Sequence, residues 1–507
     1  MTVALSGFGQ AQNLGSFSKI SDIGNPQLKG SSVYNENDQT YQLSGGGNNI
    51  WLKEDQFQFL YKKIKGDFII RATAKFIGEG VDGHRKIGIM ARENLTKGSK
   101  YADGALHGGL PLNTSLQYRL ADGDTTGQVL ISTVHPTEIE LERSGNTFTF
   151  SAATNGEIYK SVTKKVVMSE EVYAGLFICS HNDAVLEKAL FSNVRVIIPP
   201  AKDFVPYQDY IGSHLETMEI STGHRMILKS EKGSIQCPNW TKDGKSLIYN
   251  SAEGLLYNYN IANGVTKQIN SGFATQNNND HVISPDGKML AISNYVGANR
   301  KSTIFIMPIE GTDSPIKISS EDSGHSYLHD WSPDGKNIIF TGQRNDQWDI
   351  WSINIDTKKE TNLTNSPGLD DGSEYSADGK WIYFNAVRTG TMQIWRMRPD
   401  GTEQEQITFD EYNNWFPHFS PDGKWIVYES YPKEIDPLTH PFYQRIYLRI
   451  MPASGGIART IAYIYGGQGS INVPSWSPDS KKIAFISNTK IDQPVLLLSH
   501  LLHAKGR

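Results

Sequence analysis

Five short stretches of this 507-residue chain each crowd imidazole, carboxylate and amide side chains together. They are Asn277-Asn-Asn279-Asp280-His281, His325-Ser-Tyr-Leu-His329-Asp330, Asp370-Asp371-Gly-Ser-Glu374, Glu411-Tyr-Asn413-Asn414-Trp415-Phe-Pro-His418 and Gly466-Gly-Gln468-Gly-Ser-Ile-Asn472. The ring nitrogens of His281, His329 and His418, with the amide oxygen of Gln468, are donor types that hold a divalent ion, without distinguishing Mn, Ca and Zn. Such an ion polarises a carboxylate or a sugar hydroxyl. Glu374, Asp371 and Asp280 are then the candidate general acids and bases, and Arg388 and Arg344 the candidate clamps for an anionic group. Asn279, Asn413, Asn414 and Asn472 offer paired donors and acceptors for a polar substrate, and Trp415 and Trp348 offer stacking planes. Each residue also has a plainer reading. A histidine near a strand start ordinarily satisfies a neighbour's hydrogen bond, Asn runs and Asp370-Asp371 form turns, and tryptophans fill cores. Register adds a further condition: His281 and His329 lie three residues before a serine, His418 two before. Strand alternation puts these on different faces unless Pro417 introduces a bulge.

The elements that must position these residues follow from a repeat. Ser332-Pro-Asp-Gly-Lys336 has relatives at Thr241–Lys245, Ser284–Lys288, Ser376–Lys380, Ser420–Lys424 and Ser477–Lys481, with first residues 43, 48, 44, 44 and 57 positions apart. Asp-Gly suits a tight hairpin, because Gly tolerates positive φ and Asp bonds its own backbone. A bulky apolar residue precedes every copy (Trp240, Ile283, Trp331, Tyr375, Phe419, Trp476), and a short β run follows, such as Asn337-Ile-Ile-Phe340. A period in the forties with strand flanks predicts a β-propeller with one four-stranded blade per repeat. The apolar residues are then packing between blades. The innermost strand starts just before each copy, so the polar stretches ring one mouth of the channel.

Two strands, Leu215–Ile220 and His224–Leu228, precede the first turn, and the sixth copy lacks a clear outer pair. The early strands therefore complete the last blade, closing the ring with strands from both ends and removing exposed edges. A Pro-rich insertion between Tyr431 and Tyr443 accounts for the 57-residue spacing. Val495–Leu502 is an extra element. Residues 1–197 lack the repeat and read as short strands at sandwich spacing, among them Asp67–Phe76, Ile87–Arg92, Glu138–Arg143 and Val172–Ile178. Pro199 and Pro200 stop the last of them. The expected division is a sandwich over 1–197, a linker over 198–212 and a six-bladed propeller over 213–507, all-β throughout.

Composition excludes some partners. Net charge is −5 with no long basic run, so nucleic acid is not an expected ligand. Cys179 and Cys237 make neither a disulfide framework nor a metal knuckle. No apolar run reaches the length of a transmembrane helix. The first residues, Met1-Thr-Val-Ala-Leu5, do not read as a signal peptide.

Residues 213–490 resemble the TolB-type six-bladed propellers with WD40-like repeats, on the Ser-Pro-Asp-Gly-Lys copies and on Arg388-Thr-Gly-Thr-Met-Gln-Ile-Trp-Arg-Met-Arg-Pro-Asp-Gly401. Gly66–Ala72, Ile87–Glu93, Leu141–Phe148 and Tyr173–His181 together resemble concanavalin-like jelly rolls attached to carbohydrate-active proteins. The channel histidines look like those of oligogalacturonate lyases, in which His residues and a Gln hold a divalent metal; this implies those parts for His281, His329, His418 and Gln468, at a different spacing. The leading expectation is a carbohydrate-active protein that binds a glycan-derived substrate at the channel mouth and, if it is catalytic, acts as a metal-assisted lyase or hydrolase. The alternative, implied by the TolB likeness, is a non-catalytic periplasmic or secreted module whose mouth binds an envelope protein. A third reading places an active site in the N-terminal sandwich at His107, Arg119 and His181.

Overall fold

The structure, a computed structural model, describes residues 12–109, 114–133 and 135–491. Val495–Leu502 and the first five residues lie outside them. Apart from one short 3-10 turn, Glu321–Ser323, every regular element among the described residues is a strand. Packing divides the chain into two compact units, Met1–Ile198 and Pro199–Arg507.

The first unit holds two seven-stranded antiparallel sheets. One runs, edge to edge, through Lys19–Ile23, Phe57–Lys65, Glu171–Cys179, Lys86–Arg92, Tyr101–His107, Ser115–Arg119 and Gly127–Leu130. The other runs through Lys160–Lys165, Thr147–Ala153, Glu138–Ser144, Phe68–Ile77, Glu187–Ile197, Thr40–Gly45 and Ser31–Asn35. Alternate residues of the first sheet (Leu60, Ile89, Leu116, Leu176) meet those of the second (Leu43, Ile70, Leu141, Phe150) in one buried cluster, as in a sandwich. A second apolar cluster, with Phe57, Phe59, Met90 and Phe177, lies on the opposite face of the first sheet. Buried against it, Asp55 binds Arg119 through both oxygens at 2.7 and 2.8 Å and meets Arg92 at 3.4 Å.

The second unit is a six-bladed propeller. Five blades are four consecutive antiparallel strands, beginning with the inner strands Ile235–Trp240, Asn277–Ile283, Ser326–Trp331, Asp370–Tyr375 and Asn413–Phe419. The sixth is composite. Lys482–Asn488 pairs outward with Ser213–Glu219, which pairs with Arg225–Glu231, while Trp476 bridges Ile483 on the inner side. The ring is thus closed by strands from both ends of the unit.

The repeat's turn is a self-contained hydrogen-bond unit. Ser332 Oγ donates to Asp334 Oδ1 at 2.6 Å and accepts from Asn337 N at 2.9 Å, while the same Asp334 oxygen accepts from Lys336 N at 3.1 Å. Gly335 completes it at φ +70°. The other five copies repeat these bonds from Thr241, Ser284, Ser376, Ser420 and Ser477. In the last copy Ser480 takes the glycine's place at φ +61°, and its hydroxyl accepts from Asp422 N at 2.9 Å.

The apolar residues before the turns pack between blades. Trp331 joins Val282 and Ala291 of the preceding blade and donates from Nε1 to Val282 O at 3.0 Å; Trp476 does the same to His418 O at 3.0 Å. Two residues before the first residue of the first, third and fourth turns sits a second interblade tie. Asn239, Asp330 and Glu374 accept from the backbone N–H of Ile283, Tyr375 and Phe419, at 3.3, 2.9 and 2.8 Å.

Candidate functional site

Every one of the five complete inner strands carries a register shift: between Gln236 and Asn239, Asn277 and His281, Leu328 and Asp330, Asp371 and Glu374, and Trp415 and His418. In three of them the residue four before the turn, Cys237, Gly372 or Phe416, takes positive φ. These bulges decide the site, because they split each inner strand into a segment aimed at the channel and a segment committed to the blade interface.

At the mouth lies a cavity of about 1420 Å³. Of the residues expected from the sequence to form a site, Asp280, His329, Asp371, Asn279, Asn472, Gln468 and Trp348 line it. Asp371 is the hub: its Oδ1 accepts from His329 Nε2 at 2.8 Å, Thr341 Oγ1 at 2.7 Å and Gly372 N at 2.8 Å, and its Oδ2 faces His440 Nε2 at 3.9 Å. Burial works against ionising Asp371, but His329, His440 and Thr341 outweigh it and hold its pKa below the ordinary carboxylate value. Burial likewise opposes a charge on His329, yet the hydrogen bond and charge of Asp371, with Asp280 and Asp330 beyond, hold its imidazole above the ordinary value. Burial pushes the Asp280 carboxyl up to about 7; His329 opposes this and Asp371 adds to it. Beside this cluster His325, Tyr327 and Trp348 form a near-parallel stack, with His325 and Tyr327 centroids 5.7 Å apart and those of Tyr327 and Trp348 5.8 Å apart. Amides complete the wall: Asn278, Asn250, Gln236 and the Asn472 Nδ2 to Gln468 Oε1 pair at 3.0 Å.

The three imidazoles expected to share a metal do not converge. His281 points into the first blade, where its Nε2 donates to Ile248 O at 3.2 Å, and burial pulls its pKa down to about 4. His418 is held between Glu374, 2.5 Å from Nδ1, and Ile471 O, to which Nε2 donates. Both rings are outside the cavity that His329 lines. Glu374, expected as an acid or base, is engaged by His418 and by Phe419 N at the blade interface. Arg344 and Arg388 are not free clamps either. Arg344 makes a two-point bond to Glu360 at 3.0 and 2.9 Å, and Arg388 one to Asp370 at 3.1 and 2.6 Å, each guanidinium lying over two aromatic rings of its own blade. Asn413 binds Met392 N and Ile435 O; Asn414 binds Gln393, Thr408, Asp410 and Ser430. Trp415 is buried, with its ring 4.5 Å from that of His440. In the first unit the trio of His107, Arg119 and His181 is not assembled: Arg119 is spent on Asp55, Leu52 O, Ser99 O and Asp124 O, and His107 faces Gln117 at 3.4 Å.

Besides Thr341, Asn250 and Gln236, three contributors came from segments with no site candidate in the sequence reading. His440 comes from the Pro-rich insertion, and the signal was a histidine between Thr439 and Pro441 in a loop long enough to fold back. Tyr207 and Tyr210 come from the segment expected to be a bare linker. They line the cavity and pack their rings edge-on to Phe442, at 5.0 and 5.8 Å. Two tyrosines in a short polar run were the available sign.

Comparison with known proteins gives the same architecture. The TolB beta propeller domain matches residues 283–440. The uncharacterized protein Atu1656 of Agrobacterium fabrum (strain C58 / ATCC 33970) is 42% identical over 275 residues, which span 54% of this chain and 92% of that protein. A solved structure from Agrobacterium tumefaciens, provisionally assigned as a TolB, is 41% identical with a TM-score of 0.53, covering 56% of this chain and 100% of that one. The Tol-Pal system protein TolB of Francisella tularensis subsp. tularensis (strain WY96-3418) is 26% identical over 189 residues, 28% of this chain and 43% of that protein. No helix among the described residues is long and apolar enough to cross a membrane. Through its propeller, the chain belongs to the TolB β-propeller family.

Proposed function

We propose that this chain is a non-catalytic, TolB-like binding module of the periplasm, whose channel mouth receives an extended polar segment of an envelope protein. The observation that carries the reading is the lining of the cavity. It is built largely from amides and stacked aromatic rings that can pair with peptide groups, and its His329–Asp371 pair is held by fixed hydrogen bonds. The relative named for the Tol-Pal system supports an envelope partner. The N-terminal unit, in this reading a concanavalin-like jelly roll, acts as a spacer or glycan anchor.

A second reading has a specific observation in its favour. The Trp348, Tyr327 and His325 stack beside Asp280, whose carboxyl shares its proton near neutral pH, is also a platform for a sugar ring next to a candidate general acid. A carbohydrate-active propeller, lyase or hydrolase, would use that wall. A divalent ion belongs to this second reading, with His329, Asp371 and Gln468 as the donors the cavity presents.

Titration of the full chain against a panel of polar peptides and a panel of oligosaccharides and uronides, with and without EDTA, tests both. Peptide binding that Trp348→Ala weakens about tenfold or more, with no turnover of any sugar, is the expected result. Binding or cleavage of an oligosaccharide with no peptide bound would replace the first reading by the second. Failure of both panels would overturn the channel mouth as the site.

A further inference from the structure

In the first unit, Asp82 and His84 stand on the loop that leads into Lys86–Arg92, and His181 stands just beyond Glu171–Cys179, the neighbouring strand of the same sheet. Among the described residues these three alone bring His, Cys, Asp or Glu ligand atoms together in a group of three. Asp82 lies between the rings: its Oδ1 is 3.3 Å from His84 Nδ1 and its Oδ2 3.5 Å from His181 Nδ1, with the two ring centroids 5.1 Å apart. Ligand bonds of roughly 2.0–2.1 Å in a tetrahedron put neighbouring donor atoms about 3.3 Å apart. With one donor atom taken from each residue, the three lie within 4.8 Å of one another, a separation that side-chain rotation brings to that edge.

Asp82 Oδ1 accepts from His84 N at 2.7 Å, and both loops are also braced by residues outside the three. Arg85 is buried and bonds Glu187 at 2.7 Å and Gly78 O at 3.0 Å, and Val81 N binds the other Glu187 oxygen at 3.1 Å. Gly109 N donates to Gly83 O at 2.8 Å, and a Cβ on Gly109 would stand 2.8 Å from Gly83 Cα, so this approach requires glycine. On the other loop, Ser180 Oγ donates to Asn182 O at 2.6 Å, accepts from Asn182 N at 3.2 Å and lies 3.2 Å from Gly47 O. His181 itself sits at φ +60°, an unfavourable backbone for a residue with a side chain, and that turn is what presents its ring beside Asp82.

We infer that Asp82, His84 and His181 form a site for a zinc-type divalent ion, bound through both Nδ1 atoms and the Asp82 carboxylate. Two imidazoles and one carboxylate select Zn²⁺, Co²⁺ or Ni²⁺ over Ca²⁺ and Mg²⁺, which take all-oxygen sets. Three protein ligands leave a position for water or an exogenous donor. The site is independent of the channel reading.

The test is calorimetric titration of chelator-treated full-length protein with Zn²⁺, and optical titration with Co²⁺, on wild type, His181→Ala, Asp82→Asn and the double variant His84→Ala/His181→Ala. The expected result is one equivalent bound by wild type with a tetrahedral Co²⁺ spectrum, at least about tenfold weaker binding in each single variant, and none at this stoichiometry in the double variant. All variants should keep the wild-type circular dichroism, since the loops are held by Arg85, Glu187 and Ser180. No stoichiometric Zn²⁺ in wild type, or equal binding by the double variant, would overturn the assignment.

Discussion

Replacing Glu216 with glutamine tests whether the composite sixth blade is what holds the ring shut. Glu216 lies on Ser213–Glu219, the strand borrowed from the start of the propeller unit, and is wholly buried. Its oxygens accept from Arg225 Nε at 3.1 Å and Arg225 Nη2 at 2.9 Å, and from Ser487 Oγ on the closing strand. Glutamine keeps the shape but removes the charge and turns an NH₂ toward donors. Arg225 would keep its bond to Tyr463 O at 3.0 Å and its place over Phe485, but lose its counter-charge in a site with almost no water. Breaking a buried pair from one side costs about 3–5 kcal/mol, whereas exchanging both partners for apolar residues is often near neutral. With about 2 °C per kcal/mol for a unit this large, Glu216→Gln should melt about 6–10 °C below wild type, and Glu216→Leu/Arg225→Met within about 2 °C of it. Scanning calorimetry of the full chain, following the propeller transition, reads both. A single variant within about 2 °C of wild type, or a double variant as damaged as the single, would refute the idea that this pair locks the closure.

Trp476→Ala should cost about 3–5 kcal/mol in urea unfolding, because it empties an interblade space, while Trp476→Phe should cost only about 1 kcal/mol, the bond to His418 O. The His329–Asp371 pair predicts a stability profile with two flanks. The contribution of His329, whose folded pKa is raised, is complete below about 6.5 and lost as pH rises through the raised value, and that of Asp371, whose folded pKa is lowered, is complete above about 3.8 and lost as pH falls through the lowered value. Asp371→Asn should remove both flanks from the difference between its urea midpoints and those of wild type. Asp280 acts in the opposite sense, because its folded value of about 7 lies above 3.8: its charging should lower stability as pH climbs between them, by at most about 4 kcal/mol. Asp280→Asn should therefore gain on wild type over that interval, and equal pH profiles for the two proteins would contradict the buried carboxyl.

The propeller was legible because its repeat is local chemistry. A Ser or Thr, an Asp and a Gly close the same hydrogen-bonded turn six times within five residues, Ser480 excepted at the glycine position, and nothing distant is needed to make it. The composite blade was legible for a complementary reason: two early strands lacked a partner and the last copy lacked an outer pair. The site was less so. Counting back from each turn placed His281 and His329 in register, yet the bulge in the second blade has already ended at His281, whereas that in the third blade contains His329. One unpaired residue more or less reverses a side chain, and no residue type announces it: Cys237, Gly372 and Phe416 occupy the same positive-φ position with three different side chains. His418 shows a second limit. It shares the interblade position of Asn239, Asp330 and Glu374, so a ring that reads as a ligand is a tie between blades.

The borrowed strand also sets an order of events during synthesis. Ser213–Glu219 leaves the ribosome about 260 residues before its partner Lys482–Asn488, a wait of roughly 13–50 s at about 5–20 residues per second. Through that interval five blades can form in turn while the first-made edge of the sixth stands unpaired, open to a strand from another nascent chain. The same arrangement that pairs Ser213–Glu219 on both sides in the finished toroid makes its assembly depend on the last blade arriving before a neighbour does.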